Sequence, residues 1–290
     1  MHALADSLIS IAFHGLAYGM ILYAISVGLS VTMGLMGFVN LAHGVFAMAG
    51  GYLMITATQK LGLPWLPALA ASCVAVALAS AVLERTLYAR LYRAGELEQV
   101  LFTIGLIFIS VALARLAYGP LPQAAPLPEV LKGQIALGER QFPAYRVAVI
   151  ASSAVLIAVL WAGLERTRWG AMVRAAVDNG PMAESVGINT RRLFTLTFAL
   201  GSGLAALGGA LGADLIAITP VYPFEQLVTF LIVVALGGLG TLRGPFLGAL
   251  LIGLSDTAFK YAVPQFGAFF IYAATMALLL WRPRGLLGRA

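Results

Sequence analysis

Nine long apolar runs, at residues 8–29, 41–58, 66–83, 99–118, 146–164, 193–213, 227–240, 245–262 and 267–281, decide what this chain can become. A helix crosses a ~30 Å hydrocarbon core with about 20 apolar residues, and most of these runs meet or approach that length. None alternates polar and apolar side chains, and all exceed the ~10 residues of a barrel strand, so a membrane β-barrel is excluded. Hydrophobic residues make up 61% of the 290 and charged residues only 10%. That leaves too few polar side chains to clothe a water-soluble globule. Eight or nine crossings consume about 160–180 residues, which leaves no room for a separate soluble domain. The whole chain, 1–290, therefore reads as one all-α integral membrane domain, a polytopic bundle of 8–9 transmembrane helices, some short or broken. Runs 227–240 and 245–262 are separated by a Gly-rich break, and either could be a partial crossing. Residues 1–7 carry no Lys or Arg, so the first run reads as a retained span rather than a cleaved signal.

Basic residues set the orientation. Loop 84–98 holds Arg85, Arg90 and Arg93, and loop 165–192 holds Arg166, Arg168, Arg174, Arg191 and Arg192. Arg243 lies between the seventh and eighth runs, and the tail holds Arg282, Arg284 and Arg289. Nine crossings put all four regions on one side, the cytoplasmic one, with the N-terminus outside and the C-terminus inside. An eight-span chain with one re-entrant segment satisfies part of this pattern. The net charge of +6 belongs to these loops. No basic stripe with interleaved aromatics is present, so nucleic acid is not an expected partner. The outer segment 119–145, rich in Pro, reads as a short cap on the membrane surface, a linker or a docking face for an outside partner.

Several chemistries have no residues to carry them. No phosphate-cradling Gly-rich loop precedes Lys60, Lys132 or Lys260, so ATP is not expected to bind this chain through a P-loop. His2, His14 and His43 lack metal-ligand spacing, and no metal or catalytic residues are assigned. Asp214 and Asp256 fall near span ends and read as carboxylates open to water. The span centres are almost free of charge, which argues against ion-coupled transport. Cys73, the one cysteine, reads as a small lipid- or core-facing side chain.

Small residues recur at helical spacing, at Gly15/Gly19, Gly208/Gly212 and Gly244/Gly248, and permit close helix approach in lipid. Two Gly-rich interruptions rhyme, Gly34 to Gly44 and Gly237 to Pro245, one in each half of the chain. They are either an internal repeat with broken helices near a transport path or a coincidence of a Gly-rich chain.

The loop 165–192 has structure of its own. Residues 170–178 favour a short helix with Met172, Val173 and Ala176 on one side. Asn179-Gly180-Pro181 breaks it, with Pro181 placed for the first turn of a second helix. Ala183, Val186 and Ile188 give that second piece an apolar side, and Gly187 ends it.

The pattern G-x-x-x-R-A-x-x-D-N-x-x-x-A-E-S-x-G-I in this loop resembles the coupling segment of ABC-importer permeases of the branched-chain amino-acid, LivH-like type. The resemblance extends to Gly34–Gly44, to Thr103-Ile104-Gly105-Leu106 and to Ala235 through Gly248, in the family's order. It implies a permease in a bacterial cytoplasmic (inner) membrane, paired with a second and different permease, two ATP-binding subunits and an extracytoplasmic solute-binding protein. ATP and Mg would then belong to the partner subunits, with no cofactor on this chain. Within the resemblance, Arg174, Asp178, Asn179, Ala183, Glu184 and Gly187 become the candidate ATPase-coupling residues. Ala183 would permit close approach and Gly187 the exit turn. Asn40, His43 and Thr103 become candidates for the substrate path, although Asn40 also suits a helix cap and His43 an interfacial position. Branched-chain amino acids are the first substrate choice. Urea, short amides or another small polar solute come second, and an ion-coupled carrier or channel third.

Overall fold

The computed structural model describes residues 2–92, 94–137, 140–238, 240–241, 243–265, 267–282 and 285–287. Arg93, Leu239, Arg284 and Arg289, named above, lie outside them. In chain order the helices are α1 (His2–Met36), α2 (His43–Gln59), α3 (Trp65–Leu83), a π-helical turn (Glu84–Tyr88), α4 (Ala89–Leu91) and α5 (Glu96–Tyr118). After a short hairpin follow α6 (Ala144–Arg166), α7 (Arg168–Asp178), α8 (Gly180–Ser185), α9 (Thr190–Gly212), α10 (Tyr222–Gly237), α11 (Arg243–Ala262) and α12 (Gly267–Trp281). Each apolar run of the sequence overlaps one helix. The ends shift where local chemistry dictates: Asn189 caps Arg192 N and starts α9 at Thr190, and Pro223 sits in the first turn of α10.

Five helical stretches are long and apolar enough to cross a bilayer: Ser7–Gly34, Trp65–Leu91, Glu96–Tyr118, Ala144–Gly163 and Thr190–Gly212. Tyr222–Gly237 and Ile271–Trp281 are apolar but shorter. The packing is that of a lipid-solvated bundle. α1 and α9 form the centre, and α3, α5 and α6 lie around them with most of their surface open. The open surface is apolar, as with Val74, Leu78 and Val82 on α3 and Leu101, Phe108 and Leu113 on α5. An apolar belt of that extent has no place in water but costs nothing in hydrocarbon.

Close backbone approach holds the centre together, because van der Waals contact is what drives helix association in lipid. Gly15 and Gly19 lie against Gly253 and Ala249 of α11, Gly208 and Gly212 against Ile25 and Ile21 of α1, and Gly244 and Gly248 against Gly237 and Val233 of α10. A Cβ on Gly28 would fall 2.3 Å from the Gly201 carbonyl oxygen, so α1 and α9 meet backbone to backbone there.

The segment 119–145 is more built than a plain cap. Gln134–Leu137 (β1) and Arg140–Pro143 (β2) pair antiparallel. Gln123 exchanges two 2.9 Å backbone hydrogen bonds with Ile218, which ties the segment over the end of α9. Four-residue strands are too short to announce themselves by alternation, so the sequence does not reveal them.

Candidate functional site

The end of the bundle that carries the arginines is assembled from many parts of the chain. Arg243, at the start of α11, reaches Glu165, at the end of α6, with 2.8 Å between Nη2 and Oε1. Its guanidinium also lies 5.5 Å from the Trp161 ring centroid. Leu286 N donates to Leu236 O and Leu287 N to Gly237 O, so the tail after α12 closes the orphan carbonyls of α10. Loop 84–98 joins the same end through Glu84 and Thr195. Arg85, Arg90, Arg166, Arg168, Arg174, Arg191, Arg192, Arg243 and Arg282 thus share one end of the molecule.

On this end sits the bipartite segment, much as its residues dictate. Thr167 caps α7 by accepting from Gly170 N at 3.2 Å, and Asn179 caps α8 by accepting from Met182 N at 3.0 Å. Gly187 takes φ +88°, a left-handed conformation that frees Ile188 N to reach Ala183 O. Val173, Ala176, Ala183 and Leu193 form a small buried core of their own, flanked by Trp169 and Ile188.

Two side chains depart from the sequence reading. Met172 is 37% exposed beside buried Val173, and Val186 is 69% exposed rather than aligned with Ala183 and Ile188. A six-residue helix offers only one inward position per turn, and Ala183 holds it.

Among the candidate coupling residues, Asn179, Ala183, Glu184 and Gly187 therefore have internal contacts. Asn179 is the cap, and Ala183 is 3% exposed against α9. Glu184 accepts from Thr190 Oγ1, and Gly187 makes the exit turn. The close approach that Ala183 permits is to its own chain. Arg174 and Asp178 face outward, as do Met182 and Val186.

Asn40 and His43 lie at the first Gly-rich break, and Thr103 lies on α5, the helix whose Gln99 reaches that break. The chain turns at Gly37, φ +60°, and climbs back alongside α1. His43, the first residue of α2, thereby reaches Ile25 O at 2.9 Å, well back from the end of α1. A carbonyl only accepts, so Nε2–H of His43 donates, and Nδ1 has no partner among the described residues. Asn40 is not a helix cap. Its Oδ1 accepts from the Tyr88 hydroxyl at 3.1 Å, and its Nδ2 is buried without a partner among the described residues. Thr103 donates to Gln99 O on α5, one turn along from the side chain that accepts from Val39 N. All three are buried, and the Tyr88 ring lies among Phe38, Phe102 and Phe198.

The two rhyming breaks touch. Gly240 N donates to Ser30 O at 3.1 Å, and Ser30 Oγ to Thr241 O at 3.1 Å. A Cβ on Gly34 would fall 2.1 Å from Gly240 Cα. Gly34→Leu should therefore destabilise the fold by about 1–3 kcal/mol through overpacking. The effect should be read as a lower melting temperature of the purified protein. Gly163→Ala, inside α6 with nothing within 4 Å of the added carbon, should hold or slightly raise the melting temperature.

One group escaped the sequence reading. Glu84 follows an apolar run and looks like the first residue of a polar loop, yet it is 1% exposed. Tyr92 donates to its Oε1 at 2.5 Å and Thr195 to its Oε2 at 2.7 Å. Burial, then the hydrogen bond to Glu84 and its charge, push the Tyr92 phenol far up, so it remains a donor. The π-helical turn at Glu84–Tyr88 aims Glu84 at α9 and Tyr88 at Asn40. A continuous line of contacts thus runs from Glu184 and Thr190 along α9 to Glu84, Tyr88 and Asn40. Among the described residues, no three His, Cys, Asp or Glu side chains group as metal ligands.

A family model described as the permease component of branched-chain amino acid transport systems matches residues 11–279. The high-affinity branched-chain amino acid transport system permease protein LivH of Escherichia coli K12 is 28% identical over 294 residues, covering 96% of this chain and 94% of that protein. The corresponding permease BraD of Pseudomonas aeruginosa is 29% identical over 295 residues, covering 95% and 94%. The fructose import permease FrcC of Rhizobium meliloti is 29% identical over 107 residues, 34% of this chain and 30% of that protein. No solved structure matches the chain. The family match begins in the first turns of α1 and ends in the last turn of α12, so the chain belongs to the family of permease components of branched-chain amino acid transport systems.

Proposed function

We propose that the chain is the membrane-spanning permease of an ATP-driven importer for branched-chain amino acids in a bacterial cytoplasmic membrane. The observation that carries this is the end-to-end match, with relatives named for branched-chain amino acid transport aligned over 94% of their length. The fructose permease aligns over only a third of the chain and supports a sugar substrate much less. Urea and short amides remain the runner-up substrates. The assembly would contain a second permease of different sequence, two ATP-binding subunits and an extracytoplasmic solute-binding protein. ATP and Mg would act in the partner subunits, and this chain would hydrolyse nothing.

The arginine-bearing end would face the cytoplasm, because basic residues are retained there. Nine crossings, with the N-terminus outside, are the reading that agrees with this. Residues 165–192 would then receive the push of the ATP-binding subunits. The line from Glu184 through Thr195 and Glu84 to Asn40 would carry it to the first Gly-rich break. There Asn40, His43 and Thr103 would become exposed to solute as the bundle opens to one side at a time.

Sidedness gives the test. In a Cys73→Ala background, Ser185→Cys should react with a membrane-impermeant maleimide only from the cytoplasmic side, and Pro122→Cys only from outside. Reaction of Ser185→Cys from outside would overturn the orientation and the coupling role with it.

A further inference from the structure

The end of the bundle opposite the arginine-bearing loops holds a cavity of about 590 Å³, where the first third of α1 meets the start of α6 and the last turns of α11. Its wall is unlike the rest of the chain. Only 10% of the sequence is charged, yet Arg146, Asp256 and Lys260 all line this space, with His14 beside them. Asp256 is not the water-exposed span-end carboxylate that the sequence suggests, for it is 6% exposed. Lys260, one turn on, places Nζ 2.7 Å from Asp256 Oδ2 and keeps a largely exposed side chain. Arg146 donates to His14 Nδ1, which occupies one of its five N–H groups. Leu215 and Ile216 supply an apolar side. A carboxylate, an ammonium and a guanidinium that together line a cavity of a lipid-solvated bundle mark a solute pathway.

We propose that this cavity is the outer entry subsite of the permease and takes a free aliphatic α-amino acid as its zwitterion. Arg146 and Lys260 receive the carboxylate, Asp256 receives the ammonium group, and Leu215 and Ile216 receive the hydrocarbon side chain. Both signs of charge on one wall favour a solute that carries both. A simple anion would meet Asp256, and a simple cation would meet Arg146. The volume lies within the ~300–1,000 Å³ of small-molecule sites. The proposal rests on the function proposed above and names where that function's substrate first docks. A zwitterionic lipid headgroup shares the chemistry, so the test separates the two sources.

The test uses the assembled transporter in nanodiscs, in a Cys73→Ala background with Thr257→Cys on the cavity wall. The rate of thiol modification by an impermeant maleimide is measured. Leucine at ten times its half-protecting concentration should slow modification about tenfold. 4-Methylpentanoate, which lacks the ammonium group, and 3-methylbutylamine, which lacks the carboxylate, should protect less than about twofold at that concentration. Asp256→Asn should abolish the discrimination between leucine and 4-methylpentanoate, and Arg146→Gln that between leucine and 3-methylbutylamine. A merely structural role would weaken every ligand without exchanging their order. Gln226→Cys serves as the reporter if Thr257→Cys does not assemble.

The proposal is overturned by a thiol unreactive from outside, by equal protection from all three compounds or none, or by protection that follows phosphatidylethanolamine in the disc rather than leucine. ATP-driven leucine uptake by the same complex reads the parent function separately. Intact uptake without protection removes the cavity alone, whereas absent uptake removes the importer reading.

Discussion

Met182→Asp combined with Val186→Asp is expected to lower substrate-driven ATP hydrolysis and leucine uptake about 30-fold or more in the assembled transporter, while the chain inserts at normal levels. The two side chains are 63% and 69% exposed and lie about one turn apart, Met182 within α8 and Val186 at the residue that caps its end. Everything else about α8 serves to hold it out: the Asn179 cap, buried Ala183, and the tie from Thr190 to Glu184. A six-residue helix has no stability of its own. Fixing it this firmly to display Met and Val makes sense as a knob seated in a partner's groove. Central apolar anchors of such contacts are worth about 2 kcal/mol or more, which sets the size of the effect. Ala183→Arg is the contrasting case. It should lower the amount of folded chain, because the new side chain enters the core against Leu193. Unchanged ATP hydrolysis in the Met182 and Val186 double variant would remove the coupling role from this surface.

Glu84→Ala is expected to uncouple the machine. ATP hydrolysis should continue near its normal rate, while leucine uptake per ATP falls about tenfold. The carboxylate hydrogen-bonds Thr195, on α9, from the π-helical turn that carries Tyr88, beside the ring contact of Tyr88 with Phe198. Hydrogen bonds to a charged group contribute about 1.5–3 kcal/mol each, and two are lost together. Without them, ring contacts of Tyr88 with Phe198 and Tyr92 with Phe194 still tie this stretch to α9, but the tie to the Asn40 break loosens. Glu84→Gln keeps the Oε1 acceptor and should recover much of the lost coupling. A purely structural Glu84 would instead lower protein level and ATP hydrolysis together. The ratio of leucine transported to ATP hydrolysed in proteoliposomes decides between these.

The sequence carried the long helices because lipid imposes a length and an apolarity that any reader can count. The bipartite segment 165–192 was legible for a different reason: Asn179, Gly180 and Pro181 are local chemistry, and cap, break and first-turn proline follow from neighbouring residues alone. What escaped depends on partners distant in the chain. Glu84 looks like a loop residue until α9 brings Thr195 against it. Asp256 looks like a wet span end until α1 and α6 close a cavity around it. The outward turn of Val186 depends on how little of a six-residue helix can face inward. The rhyme between the Gly-rich breaks was visible, but their backbone contact at Gly34 and Gly240 needed the fold.

The most direct measurement of the central claim is labelled leucine uptake into proteoliposomes containing this chain and its partner permease, with and without the ATP-binding subunits. Uptake should require those subunits, Mg-ATP on the arginine-bearing side and the solute-binding protein on the other, and should stop when any one is omitted. Equal leucine flux from the permeases alone, indifferent to ATP, would contradict the account.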